Sequence, residues 1–138
     1  MALVPLLLAC LPRLAGADAM PEPGKRWMEA AEAMKQRALS WGDQPYGAVL
    51  VKDGRIIGHG PSLVVRNNDP DAHAEREAIR DALNEVGGQR VRGAVLYSTS
   101  RPCTVCESAA FHAGVVRMYF GPQVQDAGKP RDPSRRGT

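Results

Sequence analysis

Two short segments carry the residues in this chain that are best suited to chemistry. The first contains His73 and Glu75, with one residue between them, and the second contains Cys103, which directly follows Pro102, and Cys106. One imidazole and two thiolates are three of the four ligands that zinc takes in proteins, and a catalytic zinc leaves its fourth position to water. Glu75 is too close to His73 in sequence to reach the same metal easily, but it is well placed to move protons beside it. These residues therefore predict a catalytic zinc site in which the imidazole and both thiols are ligands and Glu75 is the catalytic residue.

The pattern His-x-Glu followed by Pro-Cys-x-x-Cys is the signature of zinc deaminases that act on nucleobases. On these residues the chain resembles the cytidine and deoxycytidylate deaminase superfamily, and it is more similar to bacterial guanine deaminases and tRNA adenosine deaminases than to cytidine deaminases. The resemblance runs from about residue 27 to residue 121. It implies Zn²⁺ as cofactor and an α/β fold of three layers, α/β/α, in which helices sandwich a central sheet. The segments that carry it, besides the two motifs, are 45–54, 68–75, 96–99 and 117–121.

The resemblance also implies a reaction, the hydrolytic deamination of a nucleobase, nucleoside or related amino-heterocycle. Zinc lowers the pKa of a water molecule to about 7, so hydroxide becomes available near neutral pH. In the family this hydroxide attacks the ring carbon that bears the amine, and the residue matching Glu75 shuttles protons while ammonia leaves. At positions that contact the base in the family, this chain has Tyr46 and Ser62, which we expect to bind substrate. Ser62 replaces the usual Asn and Arg101 replaces the usual Glu, so we expect the substrate to be held differently.

Three other interpretations of the motifs stay open. A Cys-x-x-Cys pair alone is also typical of redox proteins, but that interpretation leaves His73 and Glu75 unexplained. A tRNA adenosine deaminase-like editing enzyme fits the resemblance, although we find no stripe of aromatic and basic residues for RNA. A zinc-binding pseudoenzyme would have no use for a proton carrier. We therefore expect a small-molecule substrate, no nucleic-acid partner and, by analogy with the family, a homodimer.

The sequence predicts three helices around the sheet. Apolar side chains recur at helical spacing over residues 24–41. The helix of the histidine motif is predicted from residue 72 to about residue 86, with Asp71 as its N-cap and Gly87 at its end. Pro102 is expected at the first position of a third helix, whose amino end would lower the pKa of both thiols. Two helix starts would then meet at one metal.

Apolar runs rich in β-forming residues are predicted as strands. Asp53 and Gly54 between the first two runs are a strong hairpin signal, so the sheet should begin antiparallel. The four predicted strands are residues 46–51, 55–60, 91–99 and 115–120.

Length and composition indicate one globular domain. A chain of 138 residues can bury a core without disulfides, and its formal net charge of +3 is modest. Cys10 is left over once the zinc motif takes the other two cysteines, so no disulfide framework is implied.

We assign the deaminase domain to residues 22–121 and expect residues 122–138 to form a basic, flexible tail without a core element. Because the family continues through at least one further helix, we expect an open substrate pocket.

The amino-terminal residues bear on localisation. Residues 3–11 are almost wholly apolar and residues 15–17 resemble a cleavage site, so we interpret residues 1–19 as a signal peptide and expect export to the periplasm or medium. This run is too short to span a membrane. No Lys or Arg precedes it, which favours the alternative of a disordered leader on a cytoplasmic protein. Cys10 after Leu-Leu-Ala also resembles a lipoprotein processing site, a less favoured form of export.

Overall fold

The structure is a computed structural model that describes residues 23–137, so the predicted signal peptide lies outside the described residues. Within this range, no helix is long and apolar enough to cross a membrane. The helices and strands, in chain order, are α1 (Pro23–Ser40), β1 (Gly47–Lys52), β2 (Arg55–Pro61), α2 (Ala74–Val86), α3 (Gly88–Val91), β3 (Val95–Ser98), α4 (Thr104–Ala113), β4 (Arg117–Phe120), β5 (Gln125–Gly128) and a 3₁₀ turn (Pro133–Arg135).

The five strands form one mixed sheet in the order β2-β1-β3-β4-β5. β1 is antiparallel to both β2 and β3, β3 and β4 are parallel, and β4 and β5 are antiparallel. Asp53 and Gly54 both have positive φ, 50° and 71°, as a type I′ hairpin turn requires. The predicted antiparallel start of the sheet is therefore confirmed. The parallel pair needs a crossover, and α4, which carries the cysteines, supplies it.

Helices cover both faces of the sheet, which confirms the predicted α/β/α layering. Alternate residues of β1 face opposite layers because side chains alternate along a strand. Ala48 and Leu50 pack in the core with α2 and α4, whereas Val49 and Val51 pack with Trp27 of α1. Full burial of a side chain such as Leu50 stabilises the fold by about 1.5–3 kcal/mol.

Two glycines of β2 allow α2 to lie directly on the sheet. A Cβ at Gly60 would stand 2.0 Å from the carbonyl oxygen of Ala74, and one at Gly58 would stand 2.1 Å from that of Ala78. Any side chain at either position would push the helix away. These glycines therefore set the height of α2, and with it the height of the histidine motif, above the sheet.

The start of α2 differs from the sequence prediction. His73, and not Asp71, is the N-cap, with extended backbone angles (φ −64°, ψ 151°) and no side-chain capping bond. The reason is tertiary: buried Ala72 donates its backbone N–H to Asp69 and accepts one from Leu63, which keeps this residue out of the helix. Asp71 is exposed, so the prediction of an Asp71 cap is wrong.

The start of α4 and the length of β3 also differ from prediction. Cys103 is the N-cap of α4, so Pro102 lies outside the helix and not at its first position. The predicted strand 91–99 is only Val95–Ser98, because Val91 belongs to α3 and Gly93 turns the chain with φ +90°. The predicted strand 115–120 is likewise shortened to Arg117–Phe120.

The described part of the predicted basic tail contains a fifth strand, which the sequence patterns do not predict. β5 pairs with β4, and Arg117 and Asp126 form a side-chain ion pair across these strands. Beyond β5, Arg131 binds Glu107 of α4, and its guanidinium lowers the pKa of Glu107 to about 2. Hydrogen bonds and ion pairs hold this segment in place, and a search for apolar periodicity does not detect such interactions.

Candidate zinc site

The structure brings the three predicted zinc ligands together. His73 Nδ1 lies 3.6 Å from Cys103 Sγ and 3.4 Å from Cys106 Sγ, and the two sulfurs are 3.2 Å apart. Tetrahedral zinc, with bonds of about 2.3 Å to sulfur and about 2.0 Å to nitrogen, requires S···N distances of about 3.6 Å and an S···S distance of about 3.8 Å. The S···N distances fit, and the S···S distance needs only a small opening at Cys103, which is exposed. The donor set and its geometry therefore fit zinc.

Both helix starts contribute to this cluster, as the sequence predicts. His73 is the N-cap of α2, Cys103 is the N-cap of α4, and Cys106 lies in the first turn of α4. The backbone N–H of Cys106 donates to Cys103 Sγ at 3.4 Å, so a ligand sulfur also caps its own helix.

The thiol of Cys106 departs from one prediction. Burial, followed by the neighbouring Glu75 carboxylate, raises the pKa of Cys106 in the metal-free chain, whereas the sequence argument expects the helix start to lower it. Cys106 is 0% exposed, so desolvation of the thiolate outweighs the helix dipole. Metal binding at this site must therefore displace the thiol proton.

Glu75 lies beside the cluster without belonging to the donor set. It is 4% exposed, and its Oε2 lies 3.5 Å from Cys106 Sγ. Its other oxygen, Oε1, accepts a hydrogen bond from Ser98 Oγ at 2.7 Å. Ser98 is fully buried at the carboxyl end of β3, and it is not among the site residues predicted from the sequence. The sequence feature that could have identified Ser98 is its place as a polar residue at the end of an otherwise apolar strand, five positions before Cys103.

The two predicted substrate residues meet at one loop junction but differ in access. The Tyr46 carbonyl accepts the Ser62 backbone N–H at 3.1 Å, and the Tyr46 side chain is 41% exposed. Ser62 is 0% exposed and its hydroxyl donates to Asp43 at 2.9 Å, which leaves it only acceptor capacity. Arg101 places its guanidinium 5.5 Å from the ring centre of Phe120. Substrate contact by Tyr46 and Ser62 stays a prediction.

Asp43 organises the loop behind Ser62, a role that no sequence pattern indicates. This buried carboxylate accepts backbone N–H groups from Gln44, Val65 and Arg66 at 2.8, 3.1 and 2.7 Å, besides the Ser62 hydroxyl. Burial alone would raise the pKa of Asp43, but these four hydrogen bonds outweigh it and the pKa is lowered. Asp43 therefore holds the connection between β2 and α2 as an anion.

An aromatic side chain between two arginines lies on the same loops. The Trp41 ring centre is 4.4 Å from the guanidinium carbon of Arg66 and 5.6 Å from that of Arg37, and Trp41 is 39% exposed. Arg66 and Trp41 are 25 positions apart in sequence. The fold therefore brings one aromatic and two basic side chains together, a grouping that the sequence pattern alone does not reveal.

Comparisons with known proteins agree with this geometry. The family model for the cytidine and deoxycytidylate deaminase zinc-binding region matches residues 21–122. A tRNA-specific adenosine deaminase from Haemophilus influenzae is 39% identical over 98 residues, which are 70% of this chain and 57% of that protein. Guanine deaminase from Bacillus subtilis is 40% identical over 83 residues, 60% of this chain and 53% of that protein. The chain thus spans little more than half the length of these two relatives.

Solved structures show the same relationship. A tRNA:A34 deaminase structure has a TM-score of 0.66 at 41% identity, covering 70% of each chain. The structure of guanine deaminase from Bacillus subtilis has a TM-score of 0.65 at 34% identity, covering 70% of this chain and 62% of that one. With the family match, the fold and the three clustered ligands in agreement, this chain belongs to the zinc-binding cytidine and deoxycytidylate deaminase family.

Proposed function

We propose that this protein is a zinc-dependent hydrolytic deaminase of a nucleobase, nucleoside or related amino-heterocycle. The observation that carries the proposal is the position of Glu75. This buried carboxylate does not belong to the group of zinc ligands, yet its Oε2 lies 3.5 Å from the sulfur of the ligand Cys106. A metal that only stabilised the fold would gain nothing from such a group. A hydrolytic reaction requires one, because protons must leave water and reach the leaving amine.

In the proposed reaction, three residues would bind zinc and a fourth would transfer protons. Zinc, when bound by His73, Cys103 and Cys106, supplies the Lewis acidity that activates water. Glu75 would accept a proton at Oε2, because Oε1 is occupied by the Ser98 hydroxyl. It would then donate protons to a ring nitrogen and to the amino group. Water enters, ammonia leaves and a ring carbonyl remains, so the reaction balances without a redox partner.

The test is ammonia release by zinc-loaded protein against a panel of bases, nucleosides and nucleotides. The variant is Glu75→Gln, which keeps the shape of the side chain but cannot take up a proton. Glu77→Gln is the matched control, since Glu77 is also buried in the first turn of α2 but pairs with Arg80. We expect release that depends on Glu75 and not on Glu77. One zinc per chain without release from any compound would favour a zinc-binding pseudoenzyme.

Substrate contact by Tyr46 and Ser62 belongs to this proposal. The exposed ring of Tyr46 is suited to stack on a planar heterocycle. We expect Tyr46→Leu to raise KM several-fold and Tyr46→Phe to leave it nearly unchanged, because stacking needs the ring and not the hydroxyl. An equal effect of both substitutions would argue for a hydrogen bond from the hydroxyl instead.

A tRNA adenosine deaminase-like activity is the second candidate. The observation that favours it is the exposed Trp41 flanked by Arg37 and Arg66, since bases of single-stranded RNA stack on aromatic rings and phosphates pair with arginine. The test adds an anticodon stem-loop RNA with an unpaired adenosine to the panel. Inosine formation in the RNA, lost in Trp41→Ala, would favour this candidate over a small-molecule substrate.

Two further expectations remain proposals. We propose that the protein is a homodimer, as the resemblance implies, and the exposed Val105 on α4 offers apolar surface for it. The molar mass in solution, measured by light scattering, tests this. Export is tested separately by the intact mass of the protein from its native host, where retention of Met1 would contradict signal cleavage.

A further inference from the structure

The segment after β5 crosses the first turn of the helix that carries both cysteine ligands. We call residues 129–137 the C-terminal strap. Glu107 of α4 is 6% exposed, and its carboxylate accepts three hydrogen bonds from a single strap residue. Arg131 donates its backbone N–H and Nε to Oε1, both at 2.9 Å, and its Nη2 to Oε2 at 3.1 Å.

A second arginine of the strap holds the same turn of α4. Arg136 donates from Nη1 to the carbonyl oxygen of Thr104 at 3.1 Å, and its Nη2 lies 3.5 Å from Glu107 Oε2. The strap therefore binds α4 at two points, one backbone carbonyl and one carboxylate. Both guanidinium groups converge on Glu107.

These two points are the immediate neighbours of the ligands. Thr104 follows Cys103, and Glu107 follows Cys106. The N–H groups in the first turn of a helix have no partner within the helix, so this turn is the part of α4 that its own backbone restrains least. A metal site tolerates ligand distances within only about 0.2 Å of the ideal values. Contacts of the strap with this turn therefore affect the positions of both ligand sulfurs.

The chemistry of the contact favours restraint over simple charge balance. A guanidinium presents two parallel donors to a carboxylate, which fixes orientation as well as distance. A lysine at the same position would supply the positive charge but not the two parallel donors. The Arg131 side chain itself is 73% exposed, so it adds little by burial, and its substitution should leave the fold intact.

We propose that the C-terminal strap sets the geometry of the zinc ligands through Glu107, which makes Arg131 and Arg136 positioning residues for the metal. The inference rests on the zinc site of the proposed function but not on the identity of the substrate. Neither arginine is a metal ligand, and both act through the first turn of α4.

The experiment measures metal affinity of the full chain, so its outcome does not depend on deaminase activity. Metal-free protein is titrated with Zn²⁺ in competition with a chromophoric chelator. Co²⁺ is then substituted to record the absorption bands that report ligand geometry. We expect the Arg131→Ala/Arg136→Ala variant to bind zinc at least about tenfold more weakly and to shift the cobalt bands, as loss of residues that orient ligands does. Arg117→Ala is the matched control, because it removes a comparable arginine–carboxylate pair on β4 and β5, and it should change the affinity less than twofold.

Arg131→Lys separates geometry from charge. If the strap positions the ligands, Arg131→Lys should lose nearly as much zinc affinity as the single variant Arg131→Ala, which is titrated beside it. Wild-type affinity in Arg131→Lys would show that charge alone matters and would overturn the proposal. Unchanged zinc affinity in the double alanine variant, with a lower melting temperature of its metal-free form, would also overturn it, because the strap would then only stabilise the fold. Wild-type protein that binds zinc but deaminates nothing would contradict the proposed function and leave this inference standing.

Discussion

The hydrogen bond from Ser98 to Glu75 allows a quantitative test of how the proton carrier is oriented. Ser98→Ala removes a 2.7 Å bond between two buried side chains and leaves Glu75 Oε1 without that donor. Hydrogen bonds to charged groups contribute about 1.5–3 kcal/mol. If the whole of this energy is lost in the transition state, kcat should fall about 10- to 150-fold, since about 1.4 kcal/mol corresponds to one factor of ten.

The assay separates orientation from binding. Steady-state kcat and KM are measured with the compound from the panel that gives the fastest release, after zinc content is confirmed at one per chain. Because Ser98 is fully buried, we expect KM to stay within about twofold of wild type while kcat falls. Ser40→Ala is the matched control, since its hydroxyl donates to the Arg37 carbonyl at an exposed position of α1. An unchanged kcat, or a rise in KM alone, would refute the assignment of Ser98 as the residue that orients Glu75.

Three further predictions concern stability. Asp43→Asn should lower the free energy of unfolding by about 1–3 kcal/mol at pH 7. Because the folded pKa of Asp43 is lowered, its contribution is present above the unfolded pKa and is lost as pH falls through the folded pKa, so urea denaturation should show the difference between the two proteins shrinking below about pH 4. Gly60→Ala should cost about 1–3 kcal/mol in thermal unfolding, because the new Cβ meets the backbone of α2, whereas Gly88→Ala, with its nearest neighbour at 3.9 Å, should be nearly neutral. Chelation should lower the melting temperature of the zinc-loaded protein, zinc should restore it, and Cys106→Ser should abolish this dependence on zinc.

Spacing along the chain was enough to predict the chemistry of the site. Two cysteines three positions apart at a helix start present both sulfurs to one point, and that relationship depends only on local backbone geometry. The hairpin at Asp53 and Gly54 is local in the same way. Residue types also pair this motif with His73 as ligands of zinc, whereas the three-layer α/β/α fold follows from the resemblance to the family. The comparisons and the structure agree with both.

Other features of the protein are decided only by tertiary structure. The cap of α2 is His73 and not Asp71, because contacts of the preceding loop fix where this helix begins. The cap of α4 is Cys103, whose sulfur accepts the backbone N–H of Cys106. The bonds from Ser98 to Glu75 and from Arg131 to Glu107 join residues more than 20 positions apart. Local periodicity carries no information about such pairs, since each forms only when separate elements pack. The sequence alone therefore determined which atoms can bind zinc, and the packing of distant elements decided which residues hold Glu75 and Glu107 next to those atoms.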